Sequence, residues 1–200
     1  MKLRFLAVTA ALLLSTVSFC RAQSSGAAKA AAEAQVPFPA QYAATAFGQA
    51  GTAAGKSFGL NIYIDGVTGD GDRDELLGLL KSKGQDALVS KMQGMPDLGR
   101  VAPTGTVGVG MRVVRIRKNN LGGLHIVMAT DRPISFGELY NATRSTQYPI
   151  ALLVMDVDND GKGSGTFAPL CKVKFDKKGD LVIEHYGQKP FRLANVYREK

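Results

Sequence analysis

The chain reads as a mainly β protein of the α+β type: an antiparallel β-sandwich or barrel of seven to eight strands, with a helical hairpin inserted after the first strand. Three features predict this. Apolar and polar residues alternate in short runs from Phe58 to Val196, the period of half-buried strands. Gly-, Asn- and Asp-rich turns separate the runs at close spacing, so consecutive strands should be neighbours. One stretch, Asp70 to Met92, breaks the alternation with leucines at helical spacing.

Phe58, Leu60, Ile62 and Ile64 alternate with Gly59, Asn61, Tyr63 and Asp65 as the first strand. Asp72 and Glu75 then stand three apart ahead of Leu76, Leu77, Leu79 and Leu80, a capping-box start whose acidic first turn suits the helix dipole. Gly84 ends that helix, and Gln85 to Met92 forms a second one. After Pro96 the period returns to two. Val107, Val109, Met111 and Val113 hold one parity and Val114 and Ile116 the other, so a β-bulge is expected near Val113-Val114. Asn119 to Gly123 turns into a strand at Leu124–Ala129, Pro133 closes it, and a short helical turn is expected at Phe136–Tyr140.

Ile150 to Val157 is apolar on both faces, as a central strand would be. Asn159 to Lys162 turns into a strand bearing Phe167, Cys171, Val173 and Phe175, in which Pro169 marks an edge or a bulge. Lys177 to Gly179 turns into Leu181–Tyr186, and Gly187 to Pro190 into Phe191–Val196. No repeat of about 20–50 residues is present, which excludes a solenoid or propeller.

At 200 residues, 45% hydrophobic and 21% charged, the composition excludes general disorder and a polytopic membrane protein. Residues 1–22 read as a signal peptide: Lys2 and Arg4 precede an apolar run from Phe5 to Phe19, and Cys20 and Ala22 stand three and one positions before Gln23. The apolar run is too short to span about 30 Å of hydrocarbon comfortably, so no transmembrane anchor is expected after cleavage. The product would be exported, to the periplasm or outside the cell. Cleavage leaves 22 basic residues of 25 against 17 acidic, lowering the formal charge from +8 to +5. It also leaves Cys171 as the sole thiol, so the mature chain holds no internal disulfide. Residues 23–56, rich in Ala, Gly and Gln, read as a flexible tether, and 57–200 as one β-rich domain.

Asp156-Val-Asp158-Asn-Asp160-Gly161 carries the sharpest chemical signal. Carboxylates at positions 1, 3 and 5 with glycine at 6 open a calcium loop, but Phe167 occupies the position of its bidentate glutamate. The competing reading is a solvated hairpin turn. Asp70, Asp72 and Asp74 are explained by helix capping. Gly51 to Lys56 has three residues between its glycines where a phosphate loop needs four, and it precedes a strand.

Arg112, Arg115, Arg117 and Lys118 form the densest basic run, either a charged guard on an edge strand or a patch for an anionic envelope component. Nucleic acid is not expected, because the mature charge is modest and no aromatic pattern accompanies the arginines. His125 and His185 lie within strands away from any nucleophile motif, and Cys171 shares a face with Val173 and Phe175, so no catalytic residue is assigned.

Ala129-Thr-Asp-Arg-Pro-Ile-Ser-Phe136 and Glu184-His-Tyr-Gly-Gln-Lys-Pro-Phe-Arg-Leu-Ala-Asn-Val196 resemble a group of exported bacterial proteins of unknown function, over about Ser57 to Val196. The resemblance carries no activity and no catalytic residues. The expectation is a non-enzymatic binding or structural domain of the cell envelope, with an envelope hydrolase or isomerase of dispersed active site as the rival. An apolar small molecule would suit a closed barrel, and a surface partner would suit a sandwich.

Overall fold

A computed structural model describes residues 38–120, 122–134, 147–185 and 189–199. The signal peptide expected at 1–22, the first part of the tether expected at 23–37 and the helical turn expected at Phe136–Tyr140 lie outside the described residues.

The described residues form an antiparallel sheet of ten strand segments with one helical hairpin. In chain order these are β1 (Ala40–Phe47), β2 (Ser57–Ile64), α1 (Asp70–Lys83), α2 (Gln85–Gln93), β3 (Gly99–Pro103), β4 (Val109–Met111), β5 (Val113–Lys118), β6 (Leu124–Thr130), β7 (Ile150–Val157), β8 (Gly163–Phe175), β9 (Leu181–His185) and β10 (Phe191–Arg198). The spatial order is β4-β3-β2-β1-β10-β8-β7-β6-β5, with β9 paired to the far half of β8.

The two ends of that order, β4 and β5, are consecutive in the chain with Arg112 alone between them. One peptide unit joins the edges: the Met111 carbonyl accepts from Leu98 N–H, and Arg112 N–H donates to the Ala129 carbonyl on β6, both at 2.9 Å. The sheet therefore curls into a barrel, and the choice between sandwich and barrel is decided by this seam. Counting β4–β5 as one bent strand and setting β9 aside gives eight staves, a closure that removes most exposed edges.

The parity slip read from the sequence sits at that seam. Met111 and Val114 both face inward and are fully buried, so Arg112 and Val113 both face outward. Of the edge and the bulge that Pro169 left open, the structure has the bulge, where the β7–β8 register shifts between Ile150–Cys171 and Leu152–Ala168.

Inward side chains pack tightly. Tyr42, Ile62, Ile126, Met128, Leu153, Met155 and Phe167 have no accessible area, and Phe191 only 1%. Each large side chain so buried contributes about 1.5–3 kcal/mol. Gly163 and Gly165 face inward opposite Val157 and Met155, leaving volume for the neighbouring aromatics; a Cβ at Gly165 would sit 2.3 Å from the Val154 carbonyl. A second apolar layer lies outside the sheet, where Leu76, Leu80, Leu88 and Met92 of the hairpin cover Ile150, Ala168, Cys171 and Val173.

Three expectations are corrected. Residues 40–47 are not tether: β1 pairs along its length with β2 and with β10. Its inward residues are Ala40, Tyr42, Ala44 and Ala46, and small outward neighbours hid the alternation in an alanine-rich run. The domain thus begins well before Ser57, and the hairpin follows the second strand. α1 starts at Asp70 with Gly69 as its N-cap and no side-chain capping bond, so Asp72 and Glu75 form no capping box. Asp70 instead pairs with Arg73 at 2.8 Å and Arg115 at 3.0 Å. Among the described residues, no helix is long and apolar enough to cross a membrane.

Candidate functional site

Strand register brings together residues that are far apart in the chain. Arg117 on β5 stands opposite His125 on β6, His125 opposite Asp156 on β7, and Asp156 opposite Ser164 on β8. Their inward neighbours Ile116, Ile126 and Met155 are buried, so by alternation this row lies on the outer face. The next strand, β10, skips from Leu193 opposite Gly165 to Val196 opposite Gly163, which leaves Ala194 and Asn195 alongside Ser164. Asn195 adopts the left-handed conformation (φ 51°) and is exposed. Five neighbouring strands thus each present one polar side chain, over about 19 Å at an inter-strand spacing near 4.8 Å.

Within the row, His125 Nδ1 lies 2.9 Å from Asp156 Oδ1. A carboxylate only accepts, so Nδ1–H donates and Nε2 is left to engage a ligand or a proton. The Asp156 side chain is 51% exposed and that of His125 20%, so water reaches the carboxylate while the imidazole is mostly covered. His185 is elsewhere, opposite Cys171 on the β8–β9 extension. Cys171 itself is fully buried, and burial pushes its thiol up to about 12, far from a reactive thiolate.

The acidic triplet is a turn. Asp158 Oδ1 accepts from the N–H groups of Asp160 and Lys162, both at 2.9 Å, while Asp158 N–H donates to Lys162 O and Gly161 N–H to Asp158 O. Asp176-Lys-Lys-Gly-Asp180 repeats every one of these bonds, with lysines at its second and third positions and Gly179 in place of Gly161. Asn119 to Gly123 closes with the same two backbone bonds. A loop that forms identically without an acidic cluster needs no cation to shape it. Asp158 is turned into its own backbone and Asp156 toward His125. Among the described residues no group of three or more His, Cys, Asp or Glu side chains could hold a metal ion. The Asp156–Gly161 stretch, read from the sequence as the opening of a calcium loop or as a hairpin turn, takes the form of a hairpin turn.

The basic run divides in two. Arg112 reaches Asp97 (3.0 Å), Asp131 (3.3 Å) and the Met95 carbonyl (2.8 Å), which pins the barrel seam. Arg115 holds Asp70 and the Thr68 carbonyl, fastening the start of α1. These two are structural, and only Arg117 and Lys118 remain as an exposed cationic pair. Asp131 thereby anchors the corner that follows β6.

Sequence reading missed Ser164, Asn195 and the exposed Arg192. Of these, Asn195 left a trace: the inward series Phe191, Leu193, Val196 slips parity at that point. No protein-family model matches the chain, and neither curated proteins nor solved structures provide a match.

Proposed function

We propose that the chain is an exported, non-enzymatic binding domain of the bacterial cell envelope that holds an anionic partner on the outer face of its barrel. The observation that carries this reading is the contrast between the two faces. Inward side chains have essentially no accessible area, so an apolar guest inside the barrel would have to displace the core. Outside, Arg117 is exposed, Lys118 is exposed next to it at the end of β5, and neither has an ion-pair partner among the described residues. Cations so placed steer and retain an anionic surface in a salt-dependent way.

Retention of the full chain on an anionic matrix tests this. Arg117→Gln with Lys118→Gln should elute at clearly lower salt than the wild type. Lys177→Gln with Lys178→Gln removes the same charge from a distant hairpin tip and should elute close to the wild type. Equal shifts in the two variants would mean that net charge alone governs retention, and the reading would fall. Export is tested separately: chain recovered from the envelope should begin at Gln23.

A second reading, an envelope hydrolase or isomerase, draws on the oriented His125–Asp156 pair. Its weakness is exposure, since a substrate on this convex face stays in water, where such a pair stabilises developing charge poorly. Turnover of simple esters by the wild type that is lost in His125→Gln would favour it.

A further inference from the structure

We infer that the anionic partner is an acidic polysaccharide lying across the strands, along Arg117, His125, Asp156, Ser164 and Asn195. This rests on the binding role proposed above and adds the chemical class of the ligand.

The row mixes functional types. Arg117 donates only, Asp156 accepts only, and the Ser164 hydroxyl and Asn195 amide do both. A surface built for phosphates or for a packed anionic bilayer would not place a carboxylate at its centre, where it repels the ligand. A chain dense in hydroxyl groups uses both kinds of partner, and its carboxylates require cations only at intervals. Arg117 supplies one at the end of the row, with Lys118 exposed next to it at the end of β5, and Arg192, exposed on β10, supplies another.

Geometry agrees with the chemistry. One polar group is offered per strand, about every 4.8 Å, close to the repeat of an extended chain of six-membered sugar rings. Tyr197, two residues beyond Asn195, is 48% exposed and stands opposite Ala43 on β1, whose small side chain leaves the ring open. An aromatic face so presented suits the apolar C–H face of a sugar ring. The row holds no large apolar side chain to enter a bilayer. Asn195 sits in the left-handed conformation that both Asn and Gly tolerate, so its exposed amide can be removed as Asn195→Gly without straining the backbone.

Asn195→Gly keeps the backbone geometry and removes only the amide, so it separates binding from folding. Titration calorimetry of the full chain would use a defined oligogalacturonate, a neutral oligogalactan of equal length, and phosphatidylglycerol vesicles. The expected result is binding to the oligogalacturonate alone, weakened about fivefold or more in Asn195→Gly at an unchanged or raised melting temperature. Arg117→Gln should weaken it similarly and flatten its salt dependence. Oligogalacturonate binding that Asn195→Gly leaves intact would overturn the inference. So would binding to the vesicles but not to the oligogalacturonate, a result that leaves the anionic-partner role standing. Binding to neither overturns both.

Discussion

Arg112 is where the barrel closes, and replacing it tests that account most directly. Its side chain is 20% exposed and serves three acceptors: the Met95 carbonyl, Asp97 and Asp131. Asp97 is 50% exposed and contributes little, because water replaces its partner. Asp131 is only 11% exposed, so Arg112→Met leaves a shielded carboxylate without its counter-charge. Breaking such a pair costs about 3–5 kcal/mol when fully buried. Partial exposure lowers this, and the lost bond to the Met95 carbonyl adds about 1 kcal/mol. The expected destabilisation is about 2–4 kcal/mol.

Urea titration of the full chain measures it, as a lower midpoint at an unchanged m-value. Asp131→Asn in the Arg112→Met background should restore about 1–2 kcal/mol, since the orphaned charge is then removed. Arg112→Lys should not rescue, because a single ammonium cannot span three acceptors. Arg73→Met, at an exposed ion pair, supplies the control and should cost under about 0.5 kcal/mol. If Arg112→Met costs no more than Arg73→Met, Arg112 is an ordinary surface residue and the seam is held by backbone bonds alone.

Asp158→Ala removes two side-chain bonds from a hairpin turn and should cost about 1–2 kcal/mol, equally with calcium or with chelator; a loss seen only with calcium would revive the metal site. Tyr42→Phe removes a buried hydroxyl that has no hydrogen-bond partner among the described residues. It should be neutral or stabilising by up to about 1 kcal/mol in the same titration, and clear destabilisation would reveal a partner for that oxygen. Cys171, its thiol pushed up to about 12, should resist alkylation in the native protein at pH 8 and react once urea unfolds it. Peptide mapping that found Cys171 modified at native rates would contradict its burial.

The strands Leu124–Thr130 and Leu181–His185 were legible through their bounding turns and short apolar pattern, and Ile150–Val157 as an unbroken apolar run between turns, all local properties present in a contiguous window. The break at Gly84 was legible for the same reason: its φ of 82° suits glycine in particular. Alternation fails where residue size, not polarity, distinguishes the faces. That is why β1, with alanines facing inward and Ala43 and Thr45 facing outward, passed for linker.

The candidate site was harder to read for a different reason. Arg117, His125, Asp156, Ser164 and Asn195 come from five strands, and only their register makes them neighbours. Tertiary packing likewise takes Arg112 and Arg115 out of the basic run, giving the first Asp131 beyond β6 and the second Asp70 at the start of α1. Local patterning therefore set the antiparallel β class, most strand positions and the parity slip at the seam. Closure into a barrel, a filled interior and the polar row outside it come from pairings between distant segments. Those depend on long-range hydrogen bonds and packing, for which no short window of residues holds the information.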